Sequence, residues 1–76
     1  MEITTSNGYA IIDKVEDLRD PGFFRILVKR TEGHHPFPNA PYVVALKDFN
    51  RPDYDGWAYA LGYDLTLERA VELLGK

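Results

Sequence analysis

Residues 56–74 contain the one convincing helix pattern in this chain, and a single helix limits the folds that the chain can adopt. Apolar residues recur there at the i, i+3, i+4, i+7 spacing that places them on one side of a helix: Leu67, Ala70, Val71 and Leu74. A helix of about nine residues is too short to be stable alone in water. We therefore expect this helix to dock on a second layer built by the rest of the chain.

The ends of the helix are marked by capping residues. Thr66 is the predicted N-cap, because its hydroxyl can accept a hydrogen bond from an early backbone N–H, and Asp64 is the alternative. Glu68 in the first turn complements the helix dipole. Gly75 suits the position after the last turn. Gly62 is predicted to form a tight turn between the helix and a short strand before it.

The other segments predict β-strands. In residues 23–31, apolar Phe24, Ile26 and Val28 alternate with charged side chains, which is the period of a half-buried strand. Residues 9–16, 42–49 and 56–61 are further strand candidates because they are rich in β-branched and aromatic side chains. Residues 17–22 carry Asp-Pro-Gly, a turn signal that joins the first two strands as a hairpin.

Residues 1–7 are expected to be frayed, and residues 32–41 and 50–55 to be loops. The predicted fold class is α+β: an antiparallel sheet of three to four strands with one C-terminal helix packed on one face, in the order β-β-β-β-α. At 76 residues, we expect one small domain spanning 1–76.

A size comparison predicts bare sheet surface. The helix would be roughly 13 Å long and about 10 Å wide, whereas four strands spaced at about 4.8 Å form a wider layer. One helix then shields roughly half of one sheet face, and the other face depends on its own side chains, on a partner or on a second copy of the chain. Ala58 and Ala60 would allow close helix approach and would place Trp57 and Tyr59 on the uncovered face. The alternative is that Trp57 anchors the core beneath the helix.

Composition narrows the setting. A chain of this size has a marginal core and commonly gains stability from cross-links, a metal or association. Cysteine is absent, which excludes disulfides and fits a reducing cytoplasm. We expect no signal peptide and no membrane span. Self-association or a protein partner is the remaining route to stability, and the net charge of −3 argues against broad attraction to nucleic acid.

Catalytic and metal chemistry is not indicated. The single serine, Ser6, lies in the segment expected to fray, and no cysteine can act as a nucleophile. Adjacent His34 and His35 in a proline-rich loop have no evident further ligands, so no metal and no cofactor are expected. A calcium-loop alignment on Gly56 fails, because it places Arg51 and Gly62 where acidic ligands are required. We expect the protein not to be an enzyme.

The functional prediction is a non-enzymatic protein-binding module that inhibits or regulates a larger protein or nucleoprotein complex. Aromatic residues and arginine are enriched at interfaces, and on that basis the candidate contact residues are Phe23, Arg25, Trp57 and Tyr59 on the uncovered sheet face, with Phe37 and Tyr54 at loop tips. The alternative is a single-stranded nucleic-acid-binding sheet. Aromatics beside Arg25 and Lys29 could stack bases, although the acidic balance opposes this reading.

Residues 42–74 resemble HicB-type antitoxins. The residues that carry the resemblance are the strand Tyr-Val-Val-Ala-Leu at 42–46 and the run from Gly62 through Thr66 and Glu68 to Ala70, which is similar to a Gly-x-x-Thr-x-Glu-x-Ala helix start with one more residue between the glycine and the threonine. The resemblance implies a small ribonuclease toxin as partner. In size and composition the chain also looks like phage-encoded inhibitors of host defence, including anti-CRISPR proteins.

Overall fold

A computed structural model describes residues 3–30 and 40–75. In this part of the chain, five strands precede one helix: β1 (Thr5–Ser6), β2 (Tyr9–Glu16), β3 (Phe23–Lys29), β4 (Tyr42–Asp48), β5 (Tyr59–Leu65) and α1 (Leu67–Leu74). The strands form one sheet in the order β1-β2-β3-β4-β5, and all neighbours are antiparallel. The predicted α+β class is confirmed, while the predicted strand number of three to four is slightly too low.

The additional strand is β1, in the segment expected to be frayed. Asn7 and Gly8 have φ angles of 52° and 82°, so the two-residue connection between Ser6 and Tyr9 is a tight turn with both central residues left-handed. Asn-Gly is the preferred sequence for that turn, since its twist matches the twist of the flanking strands. The prediction of a frayed start is therefore wrong for Thr5 and Ser6.

The last strand begins and ends later than expected. Residues 56–58 lie outside it, and Gly62 is not a turn but a strand residue paired with Val44. A Cβ on Gly62 would lie 3.1 Å from Leu73 Cδ2, so the missing side chain lets the helix approach the sheet closely. The expectation that alanines serve this purpose is wrong, because Ala60 packs on the other side of the sheet.

Helix α1 begins as predicted. Thr66 is the N-cap, and its Oγ1 accepts a hydrogen bond from the Arg69 N–H at 3.3 Å. Ala70 and Leu74 are buried against the sheet, whereas Leu67 and Val71 remain 50% and 54% exposed. The predicted apolar stripe is therefore only half used in packing.

The sheet carries a core on each side. On the side of α1, which we call the helix face, Leu27 and Val44 pack against Ala70 and Leu74. On the other side, the opposite face, the core residues have no exposed surface: Ile26, Val28, Val43 and Ala45. The chain covers this core with its own partly buried side chains, which are Tyr9, Ile11, Phe24, Phe49, Trp57 and Ala60. Of the alternatives for the face away from the helix, coverage by the chain's own side chains is the one observed over this core, and a largely bare face is not.

Trp57 belongs to the opposite face. It packs against the core there and lies 6.5 Å from the Tyr63 ring, measured between ring centroids. It is not beneath the helix, and the face on which it lies is not uncovered. Tyr59, which pairs with Leu46, is on the helix face. In residues 3–30 and 40–75, no helix is long and apolar enough to cross a membrane.

Candidate functional site

Lys47 is the most unusual buried residue of the sheet. Its side chain has no exposed surface, and its Nζ donates hydrogen bonds to three backbone carbonyls, those of Tyr54, Asp55 and Gly56, at 3.2, 3.0 and 2.7 Å. Burial lowers the pKa of the Lys47 ammonium from its usual 10.5, while the charges of Asp55 and Asp48 raise it. Buried charges are tolerated where their hydrogen-bonding capacity is met, and three carbonyls match the three ammonium protons.

Asp55 continues this network to β1. Its carbonyl accepts hydrogen bonds from the Asn7 N–H and from Ser6 Oγ, both at 2.8 Å. Its carboxylate accepts from the Gly8 N–H at 2.8 Å and from Thr5 Oγ1 at 3.2 Å. We call these contacts of residues 5–8 with Asp55 the β1 junction.

The β1 junction closes the opposite face. It joins the first strand to the connection between β4 and β5, although β2, β3 and β4 lie between them in the sheet. Such a contact requires the sheet to curl toward one side, and the curl covers the core around Val28 and Val43. Ser6 is fully buried here as a structural donor, which removes the single serine from any surface site.

The helix face, by contrast, is only half covered. The eight residues of α1 span about 12 Å, whereas the seven residues of β3 extend over roughly 23 Å. The helix packs over the pair Leu27 and Val44. The next row of paired residues on this face does not belong to the core that packs against α1. It consists of Val15, Arg25, Leu46 and Tyr59, and we call it the open row.

Exposure within the open row is uneven. Leu46 at its centre is buried, with 4% of its surface exposed, while Val15 and Tyr59 at its ends are 36% and 54% exposed. Arg25 is partly buried between them. A buried leucine beneath a partly exposed arginine and tyrosine gives an apolar floor with a polar rim.

Arg25 has a buried hydrogen-bond donor that lacks an acceptor. Its Nε is buried and has no hydrogen-bond partner among residues 3–30 and 40–75. The carboxylate of Asp17 is close enough for the charge of Arg25 to lower its pKa, but that carboxylate bonds the backbone N–H, Nε and Nη2 of Arg19 at 3.1, 3.1 and 3.2 Å. A buried donor without an acceptor costs free energy, so an acceptor brought by a bound molecule would be favoured here.

Arg19 places a second cation beside the open row. Its side chain is 78% exposed, and the Asp17 carboxylate fixes it through charge-assisted hydrogen bonds. The hydrogen bond to Asp17 raises the pKa of Arg19, and the charge of Arg25 contributes to lowering the pKa of Asp17, so both arginines lie close to this carboxylate. Two arginines therefore lie at one end of the helix face.

A shallow depression adjoins the open row at the same end of the sheet. It encloses about 190 Å³ and is lined by Phe23, Asp48, Arg51, Tyr54, Gly56 and Ala58. Phe23 pairs with Asp48 in the row next to Arg25 and Leu46. The Tyr54 ring is 55% exposed and lies 6.0 Å from the Arg51 guanidinium carbon. Phe23 and Tyr54 thus share one concave surface.

Four of the six predicted contact residues lie in this region. Phe23, Arg25 and Tyr59 are on the helix face, not on the face away from the helix where they were expected, because the pairing register sets them in the rows next to Leu27 and Val44; Tyr54 borders the depression that Phe23 lines. Trp57 lies on the opposite face, and Phe37 is outside the described residues.

Sequence reasoning did not single out three members of this region: Val15, Arg19 and Leu46. The pairing register would have placed Val15 and Leu46 beside Arg25, but register cannot be read from isolated strands. The position of Arg19 depends on its bonds to Asp17, two residues earlier, and no sequence pattern indicates such a contact.

No group of three or more histidine, aspartate or glutamate residues that could hold a metal occurs in the described part of the chain. His34 and His35 lie outside it. Comparison with protein-family models, with curated proteins and with solved structures finds no match to this chain.

Acid is expected to remove the contribution of Asp17 to stability. Its hydrogen bonds from Arg19 lower the carboxyl pKa from 3.8, so the folded state binds its proton less readily than the unfolded state does. The contribution is complete above pH 4 and is lost as the pH falls through the lowered folded pKa. Urea unfolding from pH 6 to pH 2 should show wild type and Asp17→Asn converging toward acid; a constant difference would contradict the assignment.

Proposed function

We propose that this chain is a non-enzymatic protein-binding module whose contact surface is the open row together with the depression of Phe23 and Tyr54. The observation that carries the proposal is Arg25, a buried Nε without an acceptor set between half-exposed Val15 and Tyr59. A partner would supply the missing acceptor and cover the apolar side chains in the same contact. Arginine and tyrosine are also the residue types that most often dominate binding energy at protein interfaces.

The geometry supports a protein partner in a second way. The core of the opposite face is already covered by the chain's own side chains, whereas at the end of the helix face two exposed side chains, Val15 and Tyr59, flank Arg25 and Leu46. A small area with a buried apolar floor and charged rim resembles the core and rim of a modest protein interface.

The finer proposal is that binding inhibits or regulates a larger protein or nucleoprotein complex, in the cytoplasm. It is supported by the resemblance of residues 42–74 to HicB-type antitoxins and by the likeness in size and composition to phage-encoded anti-defence inhibitors. The structural role of Ser6 is consistent with a chain that binds rather than catalyses.

Site-specific photo-crosslinking tests the proposal. Tyr59 and Tyr63 are on the same strand, each 54% exposed, and project from opposite faces, so they form a matched pair. A photoreactive phenylalanine derivative at position 59 should capture one defined protein from cells that encode the chain, and the same group at position 63 should not. Equal capture at both positions, or none at 59, would contradict the proposed surface.

A second candidate is single-stranded nucleic-acid binding. Cations lie near exposed or partly exposed aromatic rings: Lys29 Nζ is 5.9 Å from the Tyr42 centroid, and Arg51 adjoins Tyr54. Cation and aromatic pairs of this kind can hold stacked bases. A titration with a fluorescent oligonucleotide at low salt, repeated at higher salt, separates the candidates. Salt-sensitive binding that is lost in Tyr54→Ala supports this second function, and no binding at low salt excludes it.

A further inference from the structure

The outer edge of β2 is open along most of its length. β2 has eight residues; β1 pairs with Tyr9 and Ala10, and the Thr4 carbonyl accepts a hydrogen bond from the Ile11 N–H at 2.9 Å. Beyond a register shift between Ile11 and Asp13, residues 12–16 are all exposed, and within the described ranges no strand pairs with them on the side away from β3. Ile3 and Thr4 border a depression next to residues 11–14. An open edge presents backbone donors and acceptors that favour pairing with another strand.

The backbone geometry shows which residues face outward. The Asp17 N–H donates to the Phe23 carbonyl of β3 at 2.9 Å, whereas the Lys14 N–H bonds the carboxylate of its neighbour Asp13 at 2.8 Å. The direction of the backbone hydrogen-bonding groups alternates along an antiparallel strand. The N–H and C=O groups of Asp13 and Val15 therefore point toward β3, and those of Lys14 and Glu16 point toward the open edge.

We propose that this edge pairs with the same edge of a second copy of the chain, antiparallel and centred on Val15. A two-fold axis perpendicular to a continuous sheet makes one residue its own partner. Centring on Asp13, Lys14 or Glu16 would place two like charges directly opposite each other, which is destabilising. Centring on Val15 instead sets Val15 against its own copy and Lys14 against Glu16 of the second copy, twice by symmetry.

The Val15 register also satisfies the backbone. Lys14 and Glu16 both direct their N–H and C=O groups outward, so each pair of Lys14 with Glu16 can exchange two hydrogen bonds once the Lys14 N–H gives up its bond to the Asp13 carboxylate. Their side chains share the opposite face, as shown by their pairing with Ile26 and Phe24 of β3. At each end of this pairing, Asp13 lies opposite Asp17 of the second copy. The ion pair with Arg19 already neutralises the Asp17 carboxylate there.

So short a pairing predicts a weak dimer, with a dissociation constant on the order of 10 μM to 1 mM, because small interfaces are weak ones. Dimerisation would also enlarge the candidate contact surface. Val15 ends the open row, so the rows of two copies would join at the axis into one continuous row. The two Arg25 residues would lie three strand spacings apart, about 14 Å. This inference does not depend on the proposed partner binding.

Sedimentation equilibrium with charge-reversal variants tests the dimer. Wild type should dimerise with rising concentration, and Lys14→Glu and Glu16→Lys should each shift the dissociation constant at least tenfold toward monomer. An equimolar mixture of the two variants should form a heterodimer, because the reversed charges are complementary across the axis. The double variant K14E/E16K should recover the wild-type dissociation constant.

The control places the same reversals away from the edge. Arg69→Glu and Glu72→Arg alter an exposed ion pair of α1 and should leave dimerisation unchanged. Circular dichroism establishes that each variant is folded, which matters because Lys14 Nζ lies 5.3 and 5.0 Å from the ring centroids of Phe24 and Phe49. A wild-type monomer up to about 1 mM overturns the proposal. So does a dimer unaffected by either edge variant, or a mixture that fails to associate.

Discussion

Replacing Lys47 with methionine is expected to destabilise the folded protein by about 3 kcal/mol, the scale for removing one partner of a buried charged network. Methionine retains most of the side-chain stem but leaves the carbonyls of residues 54–56 without their common donor. A domain of this length has a total stability of roughly 4 to 11 kcal/mol. The single change would therefore remove a large part of it.

Urea unfolding followed by far-ultraviolet circular dichroism measures this loss. Lys29→Met is the matched control, since Lys29 is an exposed lysine on the adjacent strand and should change stability by less than about 0.5 kcal/mol. Hydrogen exchange should also rise at Asn7 and Gly8, because the β1 junction depends on the loop that Lys47 holds. Equal stability of Lys47→Met and Lys29→Met would show that the buried ammonium does not hold the sheet closed.

Binding to the captured partner is expected to fall about 30-fold in Arg25→Ala and in Tyr59→Ala, which corresponds to about 2 kcal/mol for each interface anchor. Arg25→Ala removes the unpaired Nε and the charge that a partner acceptor would meet. Tyr59→Ala removes the most exposed side chain of the open row. Isothermal titration calorimetry with purified partner gives both affinities directly.

Tyr63→Ala is the control for this series, because it deletes an equally exposed tyrosine from the opposite face. Its affinity should stay within about twofold of wild type, as for a substitution outside the interface. Unchanged binding in both Arg25→Ala and Tyr59→Ala, or a larger loss in Tyr63→Ala, would place the contact elsewhere. Thermal unfolding of each variant separates loss of contact from loss of fold.

The elements with strong local signals were predictable from the sequence. The alternation around Ile26 gave β3, and the apolar spacing with Thr66 gave α1 and its N-cap. The strand β1 had an available signal, the Asn7-Gly8 turn, that was overlooked. The predicted bounds of β5 lie too early in the chain because the strand has an irregular register. Shifts on both sides of Val44 and a φ of 53° at Asp64 disguise the alternation of a strand.

Closure of the opposite face could not be predicted from the sequence. It depends on Lys47 binding backbone carbonyls seven to nine residues later, and on Asp55 bonding residues almost fifty positions earlier. Backbone carbonyls carry no sequence signal, and a lysine in a strand normally faces solvent. Of the candidate site, the residue types Arg25 and Tyr59 were predictable as contact residues, but their placement on the helix face depends on the pairing register, which isolated strands do not reveal.

Carbene footprinting, read by mass spectrometry on the isolated chain and on its complex with the captured partner, tests the central claim that one sheet face is closed by the chain and half of the other serves binding. In the isolated chain, label should reach Tyr59 but not Val28 or Val43. In the complex, label at Tyr59 and Phe23 should disappear while Tyr63 keeps its own. Labelling of Val28 and Val43 in the isolated chain, or protection of Tyr63 with Tyr59 unchanged, would contradict the account.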